Sequence, residues 1–225
     1  MDAMNDEKEA YPIDSEKLAY WYFRLNGFLT IENFVVHPDW GTQQCTDIDL
    51  LAARFPHRAE LLEVPMEDDK RLTLDPHRIR IILSEVKASS CDLNETWTNP
   101  DKKNIQRMLR AVGTIDRKSV DDVSEKIYNH GWYEDQNFLI SLCCLGQQEN
   151  QNCREQFPEV PQLTWKEVLS FIHKRFRMYQ KQKCSHDQWD PIGKKLWKYS
   201  ETFEEFNEFR KAIKIVSKSS HSPDE

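Results

Sequence analysis

The stretch Ile79–Val86, IRIILSEV, constrains the fold more than any other. Its aliphatic residues fall on both faces of an extended chain, so as a strand it must be covered on both sides and lie inside a sheet. Glu85 and Lys87 nevertheless occur two residues apart at its end, on one face, with Val86 opposed. An acid and an ammonium on an otherwise apolar strand are costly to bury and call for a compensating partner.

A second strand carries further acids. TDIDLLAARFP, closed by Pro56, sets Asp47 and Asp49 on one face and Ile48 and Leu50 on the other. Sequential strands are commonly neighbours, which would bring Asp49 towards Glu85. Asp49 is favoured over Asp47 because apolar residues flank it within the strand, while Asp47 stands at its start. Two carboxylates and a lysine converging on one face suit a divalent cation, and oxygen-only ligands favour Mg²⁺ or Mn²⁺ over Zn²⁺. Such a site fits phosphodiester hydrolysis, with Lys87 orienting or deprotonating the attacking water. Glu16, on an upstream helix, could complete the metal shell.

The remaining pattern frames these two strands. Asp14 or Ser15 can cap a helix running to about Asn26, with Leu18, Tyr22 and Leu25 on one side and Gly27 as a stop. FLTIENFVVHP reads as a first strand, and 57–77 as an irregular connection or short hairpin. Pro100 opens a helix ending near Gly113, a further helix covers about 119–130, and FLISLCCLG is a fourth strand. Residues 147–162 read as loop. Thr164 and Glu167 form a capping box for a long amphipathic helix to about Lys183. Residues 190–200 read as a short helix and 202–216 as a last one. The fold class is therefore α/β, with a four-strand mixed sheet flanked by helices. The expected division is an acidic disordered tail at 1–12, a core at 13–146, a basic helical extension at 147–217 and a disordered tail at 218–225.

Composition excludes several other classes. The chain has 225 residues, and its 11% of aromatic side chains is more than disordered chains carry. No apolar run approaches the roughly 20 residues that cross a bilayer, and the acidic start MDAMNDEKEA is not a secretory signal. The six cysteines, at 45, 91, 143, 144, 153 and 184, contain no C-x-x-C pair, so neither a disulfide scaffold nor a four-ligand zinc site is expected and reduced thiols in a cytoplasm are. Cys143 and Cys144 read as small buried hydrophobes. Neither G-x-S-x-G nor a phosphate-binding G-x-x-x-x-G-K is present.

Charge is unevenly spread. Residues 1–70 hold six Lys/Arg against fifteen Asp/Glu, a net of −9, while 164–198 hold nine against three, a net of +6. The basic stretch suggests a polyanionic partner. With Trp165, Val168, Ile172 and Phe176 inward, Lys166, His173, Lys174, Arg177 and Lys181 point outward, and Lys194 and Lys195 follow. These are candidate contacts to a nucleic-acid backbone, which supply affinity without sequence information. Trp97, in the polar loop NETWTNP after the Glu85 strand, is a candidate for stacking on nucleic acid or for anchoring the loop to the sheet.

The order of a helix (SEKLAYWYFRLNG), a strand, an acid-bearing strand (TDIDLL), an acid-x-Lys strand (SEVK) and a helix resembles the PD-(D/E)XK, restriction-endonuclease-like nuclease superfamily over residues 13–146. The resemblance implies a helix–three strands–helix–strand core, an Mg²⁺- or Mn²⁺-dependent endonuclease, Asp49 and Glu85 as metal ligands, and Lys87 as the catalytic lysine. Glu16 takes the place of the first-helix acid, and Gln106 that of a supporting polar residue on the following helix. The implied substrate is nucleic acid, DNA in preference to RNA, and cleavage of both strands would call for a homodimer. Two other readings stand beside it. One is a nuclease-fold binding or interaction protein whose site is silent or needs a partner subunit. The other is an unrelated phosphate-ester hydrolase, for which the chain offers too few acids and histidines.

Overall fold

The computed structural model describes residues 10–41, 45–73, 75, 77–185 and 190–217. The chain opens with a short strand, β1 (Tyr11–Asp14), which runs straight into α1 (Ser15–Leu25). Asp14 caps that helix by accepting from the amides of Glu16 (2.8 Å) and Lys17 (3.1 Å), so two of the unpaired amides of the first turn are satisfied. Leu18, Trp21, Tyr22 and Leu25 form its buried stripe. Gly27 follows at φ 77°, a left-handed turn that glycine makes at low cost.

Three antiparallel strands come next: β2 (Leu29–Val36), β3 (Thr46–Arg54) and β4 (Ile79–Val86). After a short helix, α2 (Glu95–Thr98), and a 3₁₀ turn at Pro100–Lys102, Lys103 enters the left-handed region (φ 55°). This break delays α3 to Asn104–Val112, so the helix expected directly from Pro100 arrives in two pieces. Then follow α4 (Val120–His130), β5 (Trp132–Glu134) and β6 (Phe138–Gly146), with β6 parallel to β4. The sheet order is β2-β3-β4-β6-β5. β7 (Gln162–Thr164) also lies along β6, beyond the stretch that β5 occupies. The sheet is mixed, as expected, but has six strands where four were legible. β5 and β7 have three residues each, too few to show a period in the sequence. The 147–162 segment, read as loop, also holds α5 (Gln151–Gln156).

Helices cover both faces. On one, α1 packs with α6 (Trp165–Met178), α8 (Pro191–Thr202) and α9 (Phe206–Lys211), joining Leu18, Tyr22, Trp165, Ile172, Phe176 and Phe209 in one core with Leu50 and Ile82 of the sheet. On the other, α3 and α4 cover Ile81, Leu83, Ile140 and Leu142. β4 is thus buried on both sides, as its composition requires. The capping box at Thr164 and Glu167 is formed, and a short α7 (Gln180–Lys183) continues α6.

Two expectations at the chain's ends change. Tyr11 and Pro12, assigned to the acidic tail, belong to β1, while residues 1–9 and 218–225 of the expected tails lie outside the described residues. The helix read over 202–216 stops at Lys211, and β8 (Ile213–Val216) pairs in parallel with β1, Tyr11 opposite Ile213. Ile213 and Ile215 alternate with Lys214 in the strand period, a pattern too short to outweigh the helical one before it. The basic C-terminal stretch is therefore held to the first strand of the chain and shares the core of α1. Among the described residues, no helix is long and apolar enough to cross a membrane, and all six cysteines are free.

Candidate active site

Asp49 and Glu85 meet across the β3–β4 ladder. Its register pairs Leu50 with Ser84, and one step further brings Asp49 beside Glu85. Asp49 Oδ2 accepts from the Val86 amide at 2.7 Å, which ties it to the end of β4. The facing position on β2 is Asn33, with a left-handed backbone (φ 51°) between the Glu32–Leu50 and Phe34–Ile48 pairs. Asparagine is among the few residues that adopt this conformation readily, so the ladder is locally irregular where Asp49 stands. Glu85 shares its face with Ile81 and Leu83.

Lys87 closes the group. Its Nζ lies 2.5 Å from Glu85 Oε1 and donates to Asn94 Oδ1 at 2.9 Å. Its backbone is pinned on two sides, the amide donating to Leu145 O at 2.9 Å and the carbonyl accepting from Trp165 Nε1 at 3.1 Å. The ammonium therefore projects from a fixed position although a third of the side chain is solvent-exposed.

Asn94 was not singled out from the sequence. It occupies the N-cap of α2, yet its side chain makes no capping bond; Nδ2 donates to Glu85 Oε1 while Oδ1 accepts from Lys87. The available signal was an Asn at a cap position a few residues after an acid-x-Lys strand. Capping explains such an Asn so well that nothing marks it as a site residue.

The electrostatics are unbalanced. Glu85 is only 4% exposed. Burial, then the charges of Asp49 and Asp47, push its pKa up to about 7 against the opposing pull of Lys87. A buried carboxyl thus stands beside a second acid and holds its proton to higher pH than an exposed glutamate does. Two oxygen ligands on adjoining strands fit a hard divalent cation, which usually retains several waters. Among the described residues, no group of three or more His, Cys, Asp or Glu is placed to hold a metal ion, so Asp49 and Glu85 would be the protein's share of the shell.

The other expected residues divide. Asp47 lies on β3 near enough to act on Glu85. Glu16 sits half-buried in the first turn of α1, in the layer on the opposite face of the sheet. Its neighbour Lys17 pairs with Glu32, the register partner of Leu50, so this turn reaches the same end of the sheet as the trio. Gln106 is directed elsewhere, accepting from the Tyr128 hydroxyl at 3.3 Å. Trp97 is 3% exposed within the α3–α4 core, so it anchors its loop and offers no stacking face.

The basic residues do not form one face. Lys166, Lys174, Lys181 and Lys194 are exposed. Arg177 pairs with Glu204 at 2.7 Å, and Lys195 lies over the rings of Tyr11 and Tyr199, 4.3 and 4.8 Å from their centroids. His173, expected outward, is buried against Phe209 with its Nε2 bonded to Phe203 O. The reason is α9, which covers that side of α6 and is not apparent from the period of α6 alone. No family profile, no curated protein and no solved structure matches the chain.

Proposed function

We propose that the protein is a metal-dependent nuclease that hydrolyses phosphodiester bonds of nucleic acid, DNA in preference to RNA. The observation that carries this reading is the convergence of Asp49, Glu85 and Lys87 at the ends of two adjoining strands, with Asn94 bridging the last two. Asp49 and Glu85 would hold Mg²⁺ or Mn²⁺. Such an ion, when bound, polarises a phosphate oxygen and acidifies water.

The chain's own groups do the rest. Lys87 holds the attacking water in line and offsets the negative charge that builds on the phosphate. Glu85 pairs with the Lys87 ammonium and keeps it directed. Asn94 fixes both side chains, so neither must reorganise during the reaction. This order differs from a structural ion pair, in which a single acid faces a single base.

The test is incubation with plasmid, linear and single-stranded DNA in Mg²⁺ or Mn²⁺. Cleavage of at least one of them, abolished by Glu85→Ala, is the expected result. If none is cut and Glu85→Ala changes nothing, the alternative of a nuclease-fold binding protein with a silent site takes its place.

A further inference from the structure

A cavity of about 460 Å³ opens in the α6–α9 layer, on the sheet face opposite the side chains of the trio but at the same end of the strands, where Gln147 follows β6. Its floor includes Trp165, Leu169 and Ile213, and its rim carries Lys166, Arg210 and Lys211. Trp165 is the residue whose indole holds the Lys87 carbonyl, so the cavity and the catalytic lysine share a wall.

Three features bear on what it could hold. All three rim cations are exposed, and none of them belongs to an ion pair of the described residues, a state they share with Lys174, Lys181 and Lys194 but not with Arg177 and Lys183. They come from two distant parts of the sequence, the start of α6 and the end of α9, and converge because β8 is drawn back onto β1. They also gather in a chain of formal charge −7, at the end of the sheet that carries its carboxylate pair. An apolar floor under a cationic rim suits a sugar–phosphate chain. The volume lies within the roughly 300–1,000 Å³ range of small-ligand sites, enough for one backbone and too little for the two of a duplex.

We infer that this cavity seats the backbone of one nucleic-acid strand that continues over the end of the sheet towards the trio, with Lys166, Arg210 and Lys211 pairing its phosphates. The inference rests on the nuclease reading above. It also narrows the basic surface: Lys174, Lys181 and Lys194 lie outside this track. Lys174 is eight residues beyond Lys166, about 12 Å along the helix, and lines a different hollow.

The test is fluorescence anisotropy of a labelled single-stranded DNA with the full chain in EDTA, where binding is read without cleavage. The triple variant K166Q/R210Q/K211Q should bind about fiftyfold more weakly near 0.15 M salt, with a log–log salt slope shallower by about 2, as three lost phosphate contacts on a single strand imply. The charge-matched K174Q/K181Q/K194Q should stay within threefold of the wild type. Arg210→Glu alone, a single change at an exposed position, should weaken binding in the same direction if the triple variant proves unstable. Equal affinity of wild type and K166Q/R210Q/K211Q, or equal losses in the two triple variants, would overturn the track. Wild-type protein that binds Mn²⁺ through Asp49 and Glu85 but no single-stranded DNA would overturn the track and leave the metal site standing. Absence of that Mn²⁺ binding would strike the nuclease reading itself.

Discussion

Two buried charge clusters lie at opposite ends of β3 and are closed in opposite ways. At the Arg54 end, Asp68 is met by Arg54 (2.8 Å), Arg58 (2.9 Å) and Arg175 (2.9 Å), and Glu60 by Lys183 (2.9 Å) and Arg58. Cations outnumber acids there. At the Asp49 end, Glu85 pairs with the ammonium of Lys87 while the charges of Asp49 and Asp47 oppose its ionisation. The acids respond accordingly. Burial would raise Glu60, but Lys183 and Arg58 hold its carboxyl below the usual range, whereas burial and Asp49 drive Glu85 up to about 7. The first cluster fastens the irregular 57–73 connection to α6, with Arg175 also donating to the carbonyls of Leu25 and Glu67. The second leaves an excess of negative charge that a bound cation would offset. Burial of charge alone therefore does not mark a site; the sign of the imbalance does.

Breaking the first cluster should have the largest effect. Arg175→Ala takes one of three guanidiniums from Asp68, strands the Leu25 and Glu67 carbonyls in the interior and should cost about 3–5 kcal/mol, as removal of one partner from a buried charge network does, read from denaturant or thermal unfolding. A loss below about 1 kcal/mol would remove the contrast with the second cluster. Lys87→Ala probes the other end. It should lower the cleavage rate by about 10²–10³, in line with the loss of one preorganised charge-stabilising group, with little change in melting temperature. A large fall in stability with activity preserved would make Lys87 a structural residue.

The pH dependence of stability sharpens the comparison. Because the folded-state pKa of Glu85 lies above its ordinary 4.5, the folded protein holds a proton that the unfolded chain releases, and stability declines as pH rises from about 4.5 to about 7. Glu85→Gln removes that decline. The variant should melt higher than the wild type at pH 8 without added metal, and the gain should vanish by pH 4.5. A variant less stable at pH 8 would mean that Lys87 and Asn94 already balance the carboxylate. The smallest effect is expected at Asn94. Asn94→Ala removes one hydrogen bond to each charged partner and should slow cleavage about tenfold, on the order of 1.4 kcal/mol.

How much of this was legible depended on the length of the pattern. The apolar run of β4, the alternation around Asp49, and the caps at Asp14 and Thr164 each span enough residues for a period or a motif, and each matches the structure. So does the pairing of β3 with β4, on which the meeting of Asp49 and Glu85 depended. Three-residue strands such as β5 and β7 carry no period. The β1–β8 pair joins the two ends of the described chain, which no local pattern reveals. Asn94 was hidden by a residue type that fits its cap position, and Gln106 was misplaced because the direction of a helical side chain depends on neighbours, here Tyr128 of α4. The basic stretch showed its net charge but not which cations were spent internally. Arg175 and Lys183 are buried partners of Asp68 and Glu60, and only Lys166 of the expected backbone contacts rims the cavity in the α6–α9 layer.

The central claim is that Asp49 and Glu85 form one oxygen site for a divalent cation, and calorimetric titration with Mn²⁺ tests it most directly. At pH 8 the wild type should bind the ion, and both Asp49→Asn and Glu85→Gln should abolish the binding heat. Below pH 7, where Glu85 takes up its proton, wild-type affinity should weaken by up to about tenfold per pH unit. Binding that is undetectable in the wild type, or that survives unchanged in both variants, would contradict the account.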